Sequence, residues 1–244
     1  MFRRIMGVAC LLGLFAFTST LEAETLLFDF GNDSTISTGN VNNVVATAQS
    51  VSNAIDDTGA MTGINLTVDP LLFFNEIGGN GSGPNPPDLP VSALFPTEMA
   101  QDSLFGHTDN FNVGAPRPFV QYTIDGLDGS GATGYSFIFF AGRLGVGDFR
   151  QTQYDVIGRT AETTYLEVAN NTGTEFAVIP PVVPNPAGQL TLTVQPGPEN
   201  TNGSGFFYLG AMRIDSVPVP EPAAGGMLLL GILSLIGARR GWGF

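Results

Sequence analysis

The sequence predicts an all-β fold: a two-sheet antiparallel β-sandwich with one or two short helices, set between an N-terminal signal peptide and a C-terminal transmembrane helix. Three observations lead there. Glycine (32) and proline (17) are abundant among the 244 residues, while only 13% are charged against about 25% in an average globular chain; many turns and few charges favour strands. Between the turn residues lie short runs that either alternate apolar with polar positions or are apolar throughout, the patterns of half-buried and central strands. The single cysteine, Cys10, lies in the N-terminal apolar stretch, so the domain must be held by a hydrophobic core rather than by disulfides, and its length permits one.

Residues 25–30 (TLLFDF) form a first strand with apolar side chains on both faces, closed by Gly31, Asn32 and Asp33. Residues 42–55 place Val44, Val45, Ala48, Val51 and Ile55 near helical spacing, which predicts a short helix. In residues 62–68 the alternation of Ile64, Leu66 and Val68 has the period of a half-buried strand. Residues 75–96, rich in Gly, Pro and Asn, are too long for an ordinary connection and are expected to be either a mobile loop or a ligand-contacting one. Residues 118–124 lead into an acidic turn, 125–129 (DGLDG), and then into 135–141 (YSFIFFA), which is apolar on both faces and therefore central. Strands follow at 151–157, 163–169, 175–179 and 189–195, the last alternating cleanly, and 205–214 closes a domain that spans 24–216. Short strands spaced by turns in this way read as a sandwich.

Both ends carry export signals. Arg3 and Arg4 precede an apolar run at 5–17, and Leu21-Glu22-Ala23 offers a small residue at a cleavage site, so residues 1–23 read as a signal peptide. At the other end, 217–244 sets Val219-Pro220-Glu221-Pro222 before an uncharged apolar run at 223–238 and the pair Arg239-Arg240. Alternating prolines keep the first part extended and readable by an enzyme. The run is about 24 Å long as a helix, a little short for a bilayer core, with Trp242 and the arginines to anchor its end. Arginines after the helix place the N-terminal bulk outside the cytoplasm. Pro-Glu-Pro, a short apolar helix and a terminal arginine cluster in this order resemble the PEP-CTERM sorting signal of Gram-negative bacteria. The resemblance implies an exosortase-type processing enzyme as partner, an inner-membrane stage, and delivery to the cell surface or extracellular matrix.

A second resemblance covers most of 25–215. The order LLFDFG, TGINLTV, YTIDGLDGSGATGYSFIFFAGR, FRQTQYDVIG, FFYLGAMRID is similar to galactose-binding-like jelly-roll modules of exported bacterial proteins. It implies a jelly-roll-like sandwich and carbohydrate binding through loops at one end, without assigning residues.

The chain contains no lysine, and from 24 to 221 five arginines face 21 acidic residues, a formal charge of −16. Such a surface repels nucleic acid and anionic lipid and suits neutral polymers or divalent cations. No Gly-x-Ser-x-Gly elbow is present, and His107, the sole histidine, stands four residues after Ser103, a spacing that needs a special bend to make a catalytic pair. One His and no Cys beyond Cys10 exclude the usual zinc sets, so no metal or catalytic residue is assigned and no cofactor is expected. Calcium in the acidic turn 125–129 is weighed against plain solvated turn acids. The most site-like stretch is 143–150 (RLGVGDFR), where Arg143, Asp148, Phe149 and Arg150 join two strands. An arginine fork and an aromatic face suit sugar hydroxyls or carboxylates, but the same arginines could simply pair with neighbouring acids. The sequence thus points to an exported, non-enzymatic surface or matrix protein with a polysaccharide-binding sandwich. The alternative is an exported carbohydrate-active enzyme or esterase.

Overall fold

The computed structural model describes residues 24–109, 111 and 115–219. The expected signal peptide and the tail from Pro220 onward, with Glu221, Pro222, Arg239 and Arg240, lie outside the described residues. Among the described residues no helix is long and apolar enough to cross a membrane.

The fold is an all-β, jelly-roll-like sandwich of two five-stranded sheets. One contains β1 (Thr25–Gly31), β2 (Asn42–Val45), β7 (Thr133–Phe140), β10 (Ala177–Val182) and β13 (Ala211–Pro218), ordered β10-β7-β13-β1-β2. The other contains β3 (Asn65–Val68), β6 (Val120–Asp125), β8 (Gln151–Ile157), β9 (Ala161–Glu167) and β11 (Leu190–Pro196), ordered β3-β6-β11-β8-β9. A small sheet of β4 (Glu76–Asn80), β5 (Ser103–Gly106) and β12 (Phe207–Leu209) has β5 at its centre. Pairing is antiparallel except between β1 and β2.

The alternation of side chains along each strand builds the core. Leu26, Phe28 and Phe30 of β1 and Tyr135, Phe137 and Phe139 of β7 point inward from one sheet. Val120, Tyr122 and Ile124 of β6, Tyr154 and Val156 of β8, and Leu190, Leu192 and Val194 of β11 meet them from the other. Aromatic rings bridge the layers: Phe139 stacks on Tyr154 at 4.4 Å between centroids, and Phe30 meets Tyr122 edge-on at 5.7 Å. The first sheet also has a covered outer face. There Leu27, Ile138 and Phe140 pack with Val91, Met99 and Ala100, carried by the 3-10 helices Val91–Ala93 and Thr97–Ala100, and with Phe95 between them. This explains why 25–30 and 135–141 are apolar on both faces.

Four expectations are corrected. Residues 42–55 form no helix: the chain is β2 followed by bridges Val51↔Leu66 and Ile55↔Met61. The Asn42 amide holds it extended by donating to Leu27 O and Ile55 O and accepting from Ile55 N, so the helix-like spacing of the valines is coincidental. The short helices occur instead at Val91–Ala93, inside 75–96, and at Thr97–Ala100, just after it. Segment 75–96 is not a mobile loop, because β4 pairs with β5, Val91 and Phe95 are buried, and its backbone bonds to Thr172 and Gly173. Residues 205–214 are not one strand. They break at Gly210, where a Cβ would come 2.9 Å from Asp102 O and 3.2 Å from Phe140 O, so the close backbone approach requires glycine. Finally, the strand at 175–179 runs on through Pro180 and Pro181 to Val182. It can do so because β10 is an edge strand and its register shifts there, so the missing amide hydrogens cost no ladder.

Strand β13 also extends two residues past the expected boundary at Ser216, and the Val219 amide donates to Ala132 O at 2.8 Å. A fragment of residues 24–219 should therefore fold alone, with a β-dominated circular dichroism spectrum and a melt indifferent to reductant. Ending it at 216 removes the pairings Val217↔Gly134 and Pro218↔Thr133 and should lower unfolding free energy by about 1–3 kcal/mol in denaturant titration. Phe139→Ala, which opens the inter-sheet stack, should cost about 3–5 kcal/mol in the same measurement.

Candidate functional site

At the end of β7 the chain passes through Gly142 into Arg143. A Cβ on Gly142 would lie 2.6 Å from Asn171 O and 2.7 Å from Pro84, so this crossing also depends on glycine. The Arg143 amide donates to Val168 O, and its carbonyl accepts from Asn170 N, both at 2.9 Å. Its guanidinium donates to Leu144 O at 2.9 Å and forms no ion pair among the described residues. The loop then turns at Gly145 (φ +75°) and is braced by Asn170, whose side-chain oxygen accepts from Gly145 N and Val146 N.

Arg150, at the start of β8, is fixed differently. Its Nε donates to Asp148 Oδ1 at 2.9 Å, another guanidinium nitrogen donates to the Tyr208 hydroxyl, and the group lies 4.9 Å over the Phe206 ring. Burial works to raise the Asp148 carboxyl, but donation from Arg150 and Asn202 outweighs it and holds the group below the usual range. Burial pushes the Tyr208 hydroxyl up, with Arg150 opposing it. Behind this pair, Glu167 accepts the amides of Arg150 and Ala169, its carboxyl raised by burial.

These arginines share a cavity of about 410 Å³. Phe105, Phe111, Phe206 and Tyr208 form its aromatic wall: Phe105 stacks on Tyr208 at 5.5 Å, and Phe206 meets Phe105 and Phe111 edge-on at 5.6 and 4.7 Å. Gly79 and Asn80 at the end of β4, with Gly81 and Ser82 just after it, also line the cavity. Asn80 is pinned by donation to Ser103 Oγ and Gly142 O, each at 3.2 Å, and its oxygen accepts Ser82 N. Among the described residues no carboxylate lines the cavity. Aromatic faces and fixed guanidinium donors form a surface able to pack against a sugar ring and hydrogen-bond its substituents.

Of the residues singled out in the sequence, Arg143 and Arg150 come together on this wall, and Asp148 stands beside Arg150 as its counter-ion. Phe149 is outside it, 40% exposed, with its backbone paired to Thr201. Val219 lies at the other end of β7, beside Ala132. In the acidic turn, Asp125 accepts from Asn65 and Asp128 from Ser130, so both carboxylates have protein donors. Ser103 and His107 make no pair: they stand four residues apart at the two ends of β5, about 13 Å along an extended chain. Ser103 instead accepts from Asn80, and the His107 ring meets Asp109 O.

Sequence reasoning missed the aromatic wall, because Phe206 and Tyr208 read as strand core. Within 75–96, Gly79 to Ser82 line the cavity. A larger cavity of about 630 Å³ lies at the Thr133 end of β7, lined by Glu24, Asp56, Asp57 and Asp128. Its lining has no arginine and a single aromatic residue, Tyr135, whose hydroxyl accepts from Asp128 N.

No family model and no curated protein matches the chain. Among solved structures it is similar to one described as CBM35 from Cellvibrio japonicus Abf62, at 15% sequence identity over 64% of this chain and 98% of that chain, with a TM-score of 0.28. At that score the likeness carries no argument about site or ligand.

Proposed function

We propose that the chain is an exported surface or matrix protein whose sandwich binds polysaccharide in the cavity between Arg143, Arg150 and the aromatic wall. The observation that carries this reading is the contrast between the cavity and its surroundings. A domain (24–216) of formal charge −15 places two of its five arginines on one concave wall with four aromatic rings. Arg150 is already neutralised and serves as a rigid strut, whereas Arg143 retains guanidinium hydrogens for a ligand. Sugar hydroxyls or carboxylates are the acceptors that such a planar fork suits, and the rings supply the apolar face.

Glycan-array binding followed by titration of the best polymer tests this reading. Arg143→Ala should weaken affinity by about 10- to 100-fold, the loss of hydrogen bonds from a charged donor, with the melt unchanged. Absence of binding to any glycan would overturn the reading. Turnover of plain or acetylated polysaccharide would overturn it in favour of an enzyme.

The tail supports export and sorting through its order of parts. Strand β13 delivers the chain to Val219, which stays bonded to the domain, and Pro220, Glu221 and Pro222 follow directly. In this reading an exosortase-type enzyme in the inner membrane recognises the proline motif while Arg239 and Arg240 hold the helix from the cytoplasmic side. Replacing Pro220, Glu221 and Pro222 by Ala should leave insertion intact but trap full-length protein in the inner membrane, seen by fractionation and immunoblot. Normal trimming and surface delivery of that variant would reduce the motif to a spacer.

A further inference from the structure

The larger cavity, about 630 Å³ at the Thr133 end of β7, takes no part in the glycan binding proposed above, and its chemistry is opposite to that of the arginine cavity. Glu24, Asp56, Asp57 and Asp128 line it together with Ser216 and Tyr135. Its acids act on common groups. Burial raises the Glu24 carboxyl and Asp56 raises it further, while the Tyr135 hydroxyl, raised mainly by burial, is also acted on by Asp128 and Glu24. Donation from Thr58 and Ala60 holds the Asp56 carboxyl below the usual range, and donation from Ser130 does the same for Asp128, so both are anions at neutral pH. Neither ion pair among the described residues involves these acids. On the elements that meet here, Arg213 of β13 is paired with Asp215, and Arg159 donates to Pro184 O and to Gly129 O in the acidic turn.

A backbone nitrogen of the chain itself is seated among the lining residues. Glu24 N donates to Ser216 Oγ at 2.7 Å and Ser216 N donates to Glu24 O at 2.9 Å, so residue 24 is held against β13 one step beyond the pair Thr25↔Asp215. On the other side Asp57 N donates to Thr25 O at 2.9 Å, which brings Asp56 and Asp57 alongside. In an unbroken chain the Glu24 nitrogen is an uncharged amide with one hydrogen, already given to Ser216. The expected signal-peptide boundary is the peptide bond just before it. Hydrolysis breaks the bond between the Ala23 carbonyl carbon and the Glu24 nitrogen, with the hydroxyl of water going to the carbon and its hydrogen to the nitrogen. The new acid then gives its proton to the new amine, leaving an Ala23 carboxylate and a Glu24 ammonium. That ammonium has three hydrogens, one for Ser216 and two for carboxylates.

We propose, resting on the export reading above, that the acid-lined cavity binds a primary ammonium group and that its occupant is the chain's own N-terminus, formed at Glu24 when residues 1–23 are removed. Before cleavage the cavity gathers carboxylates without a cation; afterwards one ammonium stands among them on Ser216. Neighbouring anions favour the protonated amine, so it should titrate above the value of about 8 that it has in an unfolded chain. A raised value contributes stability that is fully present below about pH 8 and is lost as pH rises through the folded value. Removal of the signal peptide would thus do more than release the protein. It would tighten the sandwich after export and not before, by fastening residue 24 to β13 and to the turn that carries Asp56 and Asp57.

Because the chain contains no lysine, the α-amine is its one primary amine, and acetic anhydride reads it alone. The test uses the mature chain purified from the cell envelope in detergent, its first residue read by mass spectrometry and its acetylation rate followed against pH in the native and urea-unfolded states. The expected start is Glu24, with a native midpoint about one pH unit above the unfolded one, which makes labelling at pH 7 about tenfold slower. Asp56→Asn and Asp128→Asn should each lower the midpoint, and the double variant should return it to the unfolded value. Asp33→Asn, whose carboxylate serves Thr47 outside the cavity, should leave it unchanged. The acetylated chain, uncharged at residue 24 like the precursor, should melt roughly 3–5 °C lower at pH 7, with the gap closing by pH 10. Equal native and unfolded midpoints in a chain that starts at Glu24 overturn the proposal and leave export standing, as does a raised midpoint kept by the double variant. A mature start at another residue overturns it in the same way, whereas a chain recovered with residues 1–23 in place overturns the export reading too. Should the asparagine variants fail to fold, the wild-type midpoints and the melt of the acetylated chain still decide.

Discussion

The contact on which the rest of this structure depends is the stack of Phe139 on Tyr154 between the two sheets, with ring centroids 4.4 Å apart. It joins β7, the strand that carries Arg143 at its end, to β8, the strand that Arg150 enters. Tyr154 is also tied sideways, since its hydroxyl donates to Tyr208 O at 2.9 Å. Tyr208 in turn stacks on Phe105 and receives Arg150. The inter-sheet seal and the cavity wall are thus one connected set of rings, so positions in the site inherit the rigidity of the core. A fixed aromatic wall loses little conformational entropy when a ligand settles on it.

A second constraint follows from covering both faces of one sheet. With its inner face against the other sheet and its outer face under the 3-10 helices, β1 has no solvent side over residues 28–31. Any polar residue there is buried by topology, and Asp29 is the result. Such crowding also accounts for the glycines at 31, 142 and 210, each of which accommodates a neighbour closer than a Cβ would allow. A fold that packs a segment over a sheet needs gaps of this kind where chains cross.

How much of this the sequence reveals depends on how far each feature reaches along the chain. Strands such as β6 and β11 are legible because alternation is a local property, and residues 120–125 and 190–196 bury every second side chain as their pattern predicts. The cover over β1 is not legible. Val91, Phe95 and Met99 recur every fourth residue, but Pro90 and Pro96 interrupt any helix there, and their partners Leu27 and Phe140 are distant in sequence. The cavity is intermediate. Arg143 and Arg150 stood out as a local cluster, whereas Phe105, Phe111, Phe206 and Tyr208 looked like ordinary core, because a sequence does not distinguish a ring packed on other rings from a ring that also lines a cavity.

The placement of the cavity bears on how a tethered protein would use it. Strand β13 pairs with β7 along its whole length, Ala211 opposite Phe140 and Pro218 opposite Thr133. Arg143 follows the Phe140 end, and Val219 leaves from the Thr133 end. Eight residues of strand separate the two ends, roughly 24 Å at ~3.4 Å per residue. A chain held through the residues after Val219 would therefore carry its arginine cavity at the end of the sandwich remote from the point of attachment. The acid-lined cavity beside Glu24 and Pro218 would lie at the near end, where its carboxylates disfavour anionic lipid headgroups. In a chain tethered in that way, charge and strand direction would act together, with the arginine cavity facing away from the attachment and the acidic end disfavouring a flat orientation on a membrane.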